Sequence, residues 1–219
     1  IQDYIDPYNL SVAVMQSYND FTVGGSLSVN VHARDLKYGA IAYTVESIKI
    51  LLADGSLVKA SKNENYDLFR SAIGGYGLIG IITEVTLQLT ENVALKSKLE
   101  NIDINDYHQF FENKIKPDKL AVFHNTYLFP NGFNKALSIT WYKTEEKPTL
   151  KSKLQKHKSH FLSKLLEIIV RRIPFLKQAR PLVEKIRLIP KVAWRNYEMS
   201  YSVKQLALTS HFPTTMTLQ

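Results

Sequence analysis

Apolar and polar positions alternate through "VESIKILLADGSLVKA", Val45 to Ala60, on both sides of Asp54-Gly55. Alternation sends one side-chain set to each face of a sheet, and Asp-Gly is a favoured central pair of a tight hairpin turn, so a β-hairpin is expected here. The period then changes. "NENYDLFRSAI" carries asparagines ahead of Leu68, Phe69, Ala72 and Ile73 at helical spacing and stops on Gly74-Gly75, which predicts a short helix closed by glycine. "GLIGIITEVTLQLT" returns to alternation at Ile81, Thr83, Val85, Leu87 and Leu89, the pattern of a strand. The first ninety residues therefore read as a β-rich α+β unit.

From Leu95 to Lys143 the texture shifts to one helical stretch, "INDYHQFFENKI", followed by aromatic and β-branched runs broken at Pro130-Asn131-Gly132. A second antiparallel sheet is expected, with a boundary near Glu91 to Leu95, giving domains of 1–93 and 94–219. "VAWRNYEMSYSV" alternates again and is expected to rejoin the second sheet. "HFPTTMTLQ" at the far end reads as a strand. The opening "IQDYIDPYNLS" has no Met and no targeting pattern, and both termini read as cut from something longer.

Charge singles out one segment. Thirteen of the 28 basic residues lie between Lys147 and Lys191, against two acidic residues, Glu167 and Glu184. The rest of the chain is slightly acidic, so 147–191 reads as a basic insertion within the second domain. It sets Leu162, Leu165, Leu166, Ile169 and Ile173 at helical spacing among lysines and arginines. That pattern fits an amphipathic helix, either docked on an anionic membrane surface or packed on the domain with its lysines in water. Aromatics are sparse in it, which disfavours nucleic acid. The chain has no cysteine, which removes disulfides, thiolate nucleophiles and thiolate metal sites. His108, His124 and His211 lack metal-ligand spacing, and no metal is expected.

The candidate chemistry lies in "FTVGGSLSVNVHARD", Phe21 to Asp35. Gly24 and Gly25 allow close approach to the backbone. Ser26, Ser28 and Asn30 on alternate positions would keep one face shallow while Leu27, Val29 and Val31 anchor the other. Such a face suits a flat ligand met by backbone N–H groups, or else a tight turn packed under a helix. The cluster "GGYGLIG" follows a helix and precedes a strand, so it is not a strand-to-helix dinucleotide fingerprint. It reads as a helix cap with a turn or as a backbone platform.

"FTVGGSLSVNVHARD", "VESIKILLADGSLVKAS", "YDLFRSAIGGYGLIGIITEVTL" and "WRNYEMSYSV" together resemble the FAD-linked oxidases of the vanillyl-alcohol oxidase (PCMH) type, near the sugar-lactone and alditol oxidases and decaprenylphosphoryl ribose oxidase. The resemblance implies the second half of an FAD-binding domain followed by part of a substrate domain. It implies an enzyme that oxidises a hydroxyl carbon of a sugar, alditol, lactone or lipid-linked sugar; the absence of cysteine fits a reducing compartment, so a cytoplasmic location is expected, peripheral to the membrane if the basic segment docks there. Thr22, Val23, Gly24 and Gly25 match the run that wraps the flavin and its pyrophosphate. Val29, Asn30, Val31 and His32 match the run beside the flavin ring, and Ile82 matches a backbone contact near the adenine. His32 and Arg34 lie where ring and substrate meet, and Gln219 resembles the start of a substrate-contacting strand. Two departures stand out. Ala33 replaces the family's glycine, which would add strain if that position needs a positive φ. The first flavin subdomain, with its pyrophosphate loop, would precede Ile1. Without it the rival expectation is a non-catalytic remnant that binds a membrane surface.

Overall fold

The computed structural model describes residues 1–16, 21–128, 133–150, 152–154, 192–200 and 216–218. It divides into two units, Ile1–Val93 with Trp194–Val203, and Ala94–Ala193 with Lys204–Gln219.

In the first unit, α1 (Gln2–Ile5), β1 (Leu10–Val12) and α2 (Val23–Ser28) precede β2 (Val45–Leu51), β3 (Leu57–Ser61), α3 (Tyr66–Ala72), β4 (Ile81–Leu87) and β5 (Leu89–Glu91). β2 is the centre of a three-stranded antiparallel sheet in the order β3-β2-β4, and β1 pairs with β5. The hairpin is present, but its connection is five residues long, because the last β2–β3 pair is Leu51 with Leu57. Only Gly55 takes a left-handed φ, +84°. Asp54 turns the chain through its side chain, Oδ1 accepting from the Ser56 N–H at 2.9 Å and from its hydroxyl at 2.6 Å.

β4 departs from strict alternation. Its register against β2 shifts between Lys49 and Ile50, so Val85 faces Ile48 and Ile82 faces Ile50, three residues on one strand against two on the other. The bulge swaps the faces of β4 at its start. Ile82 packs on the core with Val85 and Leu87, whereas Ile81, expected inside, is 67% exposed. The core itself joins Leu27, Val31, Ile41, Val45, Ile48, Ile50, Ala60, Phe69 and Ala72.

The expected alternation from Ser26 to Val31 is corrected. Val23–Ser28 is helical, so the buried anchors Leu27 and Val31 are spaced four apart, and Val29 is 40% exposed. The cause is the cap: Thr22 Oγ1 accepts from the Gly25 N–H at 3.0 Å and starts a helix in a sequence of poor helix formers.

In the second unit β6 (Ala94–Asp103) leads through a helical segment, Ile104 to Ile115 with α4 (Tyr107–Phe110) inside it, to β7 (Ala121–Leu128) and β8 (Lys135–Lys143). With β9 (Val192–Trp194) and β10 (Met216–Leu218) they form a five-stranded sheet in the order β10-β7-β8-β6-β9. The segment after β9 is not strand: Arg195–Ser200 is a helix, α5, that belongs to the first unit. Of "VAWRNYEMSYSV", expected to rejoin the second sheet, Val192–Trp194 does so as β9, Arg195–Ser200 is helical instead, and residues 201–203 lie outside the described residues. In α5 every residue but Tyr197 is buried, and Asn196 donates from Nδ2 to Asp6 Oδ1 and to the Leu10 carbonyl, each at 2.9 Å. Most of the basic segment, residues 151 and 155–191, lies outside the described residues, as do Pro130-Asn131-Gly132 and Gln219.

Candidate functional site

Capping by Thr22 leaves the Val23 and Gly24 amides at the start of α2 with no acceptor inside the helix. The two glycines serve different ends. A Cβ on Gly25 would lie 3.0 Å from Thr22 Oγ1 and crowd the cap, whereas at Gly24 nothing stands within 4 Å. Gly24 thus presents bare backbone to open space.

The other end of α2 is clamped by the second glycine cluster. Gly74, at φ +81°, ends α3 and donates its N–H to the Leu27 carbonyl at 2.9 Å, and the Tyr76 N–H donates to the Ser28 carbonyl at 2.9 Å. The Leu27 carbonyl also accepts from the Asn30 N–H at 3.0 Å, so the cluster shares in satisfying the carbonyl end of α2. "GGYG" is therefore both a stop for α3 and a platform under α2. Asn30 follows in the left-handed region at φ +48°, where a short polar side chain is tolerated, and its Oδ1 accepts from the Ala42 N–H at 3.1 Å. The left-handed residue of this turn is Asn30. Ala33 is not among the positive-φ residues, so the family glycine's replacement carries no strain of that kind.

Val31 is buried and accepts from the Ile41 N–H at 2.8 Å. His32 is exposed and bridges to Ala40 through the backbone. Arg34 is half-buried, and its Nη2 donates to the Glu198 carbonyl of α5 at 2.6 Å. Thr22 to Arg34 are thus gathered in one helix, turn and extended segment. Ile82 lies apart on β4, an edge strand that directs part of its backbone away from β2.

Sequence reasoning missed the buried ion pair beneath this segment. Arg195 Nη1 donates to Asp35 Oδ2 at 2.8 Å, with both side chains at most 3% exposed. Burial lowers the Arg195 pKa from its ordinary value, and the Asp35 carboxylate opposes that shift. Asp35 Oδ1 also accepts from the Lys37 and Tyr38 N–H groups, at 2.8 and 3.2 Å. The available signal was Arg195, Asn196 and Met199 at helical spacing, which "VAWRNYEMSYSV" hid under an apparent alternation.

Residues 1–61 match the family model described as an FAD binding domain. The chain is 34% identical over 99 residues to a D-arabinono-1,4-lactone oxidase of Debaryomyces hansenii, covering 45% of this chain and 18% of that protein. It is 30% identical over 108 residues to the L-gulonolactone oxidase of Mus musculus, covering 45% and 24%. A Delta(24)-sterol reductase of Pisum sativum is 34% identical over 116 residues, covering 51% and 20%. The chain therefore spans less than a quarter of the length of these relatives. The similarity thus consists of an FAD-binding domain match over residues 1–61, with lactone oxidases among the similar proteins.

The residues present fit the flavin. The half-buried Gly24, with room around its Cα, and the two amides of α2 that have no acceptor inside the helix suit an anionic or hydrogen-bonding edge, and Val29 leaves an apolar side chain exposed next to the turn.

Proposed function

We propose that the full-length protein is an FAD-dependent oxidoreductase that oxidises a hydroxyl-bearing carbon of a sugar lactone or a related sugar. The observation that carries this reading is the coincidence of the FAD-binding match, residues 1–61, with the start of α2, where the Thr22 cap leaves the Val23 and Gly24 amides without an acceptor inside the helix and Gly24 has no side chain. Bound FAD supplies the two-electron acceptor. In this reading Thr22, Val23, Gly24 and Gly25 hold it through their backbone, and Val29, Asn30 and Val31 border its ring. The exposed His32 takes or polarises the substrate hydroxyl proton, and Arg34 places a cation beside it. Two of the relatives are named for lactone oxidation, and the substrate class is taken from them.

Anaerobic addition of L-gulonolactone or D-arabinono-1,4-lactone to the FAD-loaded full-length protein is expected to bleach the oxidised flavin band. Bleaching by a sterol alone would move the substrate class, and no bleaching by any CH–OH donor would remove the oxidase reading.

The basic segment supports a second element of this reading, a cytoplasmic enzyme held at an anionic membrane surface where a lipid-linked sugar would be reached. Each lysine or arginine near such a surface contributes about 1 kcal/mol. Sedimentation with phosphatidylserine-containing liposomes is expected to carry the protein down, and neutral liposomes are expected to leave it in solution. Equal behaviour with both would sink the membrane element and leave the oxidase reading intact.

A further inference from the structure

His32 to Asp35 is neither helix nor strand: His32 and Asp35 make single β-bridges, that of His32 to Ala40, and not the run of ladder bonds that fixes a regular element. Something else must hold it. Directly after His32 the chain places a cation and an anion side by side, Arg34 and Asp35, and each engages α5. Arg34 donates to the Glu198 carbonyl at 2.6 Å, and Asp35 accepts from Arg195 at 2.8 Å. On α5 the two partners, the Arg195 side chain and the Glu198 backbone carbonyl, come from residues three apart. The ties are reciprocal: each element gives one guanidinium and takes one.

α5 is the fixed side of this buckle. Its Arg195 N–H donates to the Val93 carbonyl and its Asn196 N–H to Asn92 Oδ1, each at 2.9 Å. The Arg195 guanidinium uses all three nitrogens to tie together two stretches of chain: Nε to Ser11 Oγ at 3.2 Å and Nη2 to the Ala13 carbonyl at 2.7 Å on one, and Nη1 to Asp35 on the other. A planar fork can span three acceptors in fixed directions, and a lysine ammonium cannot. Asp35 is fixed at its other oxygen by the Lys37 and Tyr38 N–H groups.

We propose that Arg195 is a positioning residue for the site: the reciprocal buckle between Arg34-Asp35 and α5 sets the placement of His32 and Arg34. The site is then completed by a helix 160 residues away in sequence from the segment it holds, the separation of Asp35 and Arg195. The functional consequence rests on the oxidase reading, while the placement itself does not.

The test uses the full-length protein with Arg195→Lys, Arg34→Gln and both together. Arg195→Lys keeps the charge and loses the fork. The first readout needs no flavin chemistry: the imidazole Cε1–H resonance of His32, identified by its loss in His32→Gln, is followed beside that of His108 in the other unit. Arg195→Lys is expected to move the His32 resonance and leave that of His108 in place. The second readout is anaerobic flavin reduction by lactone, expected to slow about tenfold or more with KM within about twofold, since a misplacement of the order of 1 Å costs up to about 100-fold. The double variant is expected to move the His32 resonance no further than Arg195→Lys alone, because the two ties act as one device. An unmoved His32 resonance, or resonance shifts of the two changes that add, would overturn the proposal. A moved resonance in a protein that no lactone reduces would leave the buckle standing and the oxidase reading fallen. Should Arg195→Lys not fold, Arg34→Gln at its half-buried position carries the same comparison of His32 with His108.

Discussion

Replacing Arg195 with Met is expected to cost about 3–5 kcal/mol of folding stability, the range for removing one partner of a buried ion pair. The carboxylate of Asp35 would stay behind, almost wholly buried, with its two backbone donors and no countercharge. The Ser11 hydroxyl and the Ala13 carbonyl would lose a donor as well. In a chain of this size the loss corresponds to a fall in melting temperature of the order of 10 °C. The comparison that isolates burial is Lys49→Met. Lys49 and Glu84 are just as close, at 2.8 Å, but both side chains are well exposed. That pair is worth at most about 1 kcal/mol, so its loss is expected to shift the melting temperature by no more than a few degrees. Equal shifts in the two variants would mean that the Arg195 pair is not sealed from water.

The second large effect is a pH dependence carried by His124 of β7. Its register on the sheet sets it opposite Thr140, with Nδ1 2.9 Å from that hydroxyl, and Nε2 lies 3.0 Å from the Tyr107 hydroxyl of α4. Burial lowers its pKa from 6.5 to about 4. In the folded protein the imidazole is thus neutral until about pH 4, whereas in the unfolded chain it takes up a proton near 6.5. Between these values the unfolded state binds more protons, so stability is full above pH 6.5 and falls as the pH drops toward 4. The loss across that window amounts to about 3 kcal/mol. His124→Gln is expected to flatten this part of the curve of melting temperature against pH, whatever its effect at neutral pH. An unchanged slope between pH 6.5 and 4 would assign the acid sensitivity to other groups.

Local chemistry was legible where it acts alone. The alternation about Asp54-Gly55 and the glycine stop after Ile73 depend on neighbours within a few residues, and both elements formed. The connection of the hairpin still differed, since the Asp54 carboxylate accepting from Ser56 favours a longer turn over the two-residue one. In β4 a bulge exchanged the faces of Ile81 and Ile82. Nothing in the alternation of that strand announces a bulge, because the extra residue is defined only against β2. The cap at Thr22 outweighed a small-residue alternation from Ser26 to Val31 and made it helical. The glycine run and the histidine-arginine pair marked the candidate site, and the resemblance they carry agrees with the FAD-binding match over residues 1–61.

The sequence by itself determined the antiparallel pairing of Val45–Leu51 with Leu57–Ser61 and the glycine stop after Ile73, because period, turn residues and glycine act over a few neighbouring positions. The tertiary structure alone decided which cations matter. Arg195 looked like one charge among 28 lysines and arginines. It becomes the centre of the first unit's polar core because folding brings Ser11, Ala13 and Asp35 within hydrogen-bond reach of one guanidinium, and exclusion of water there raises the cost of leaving any of them unpaired.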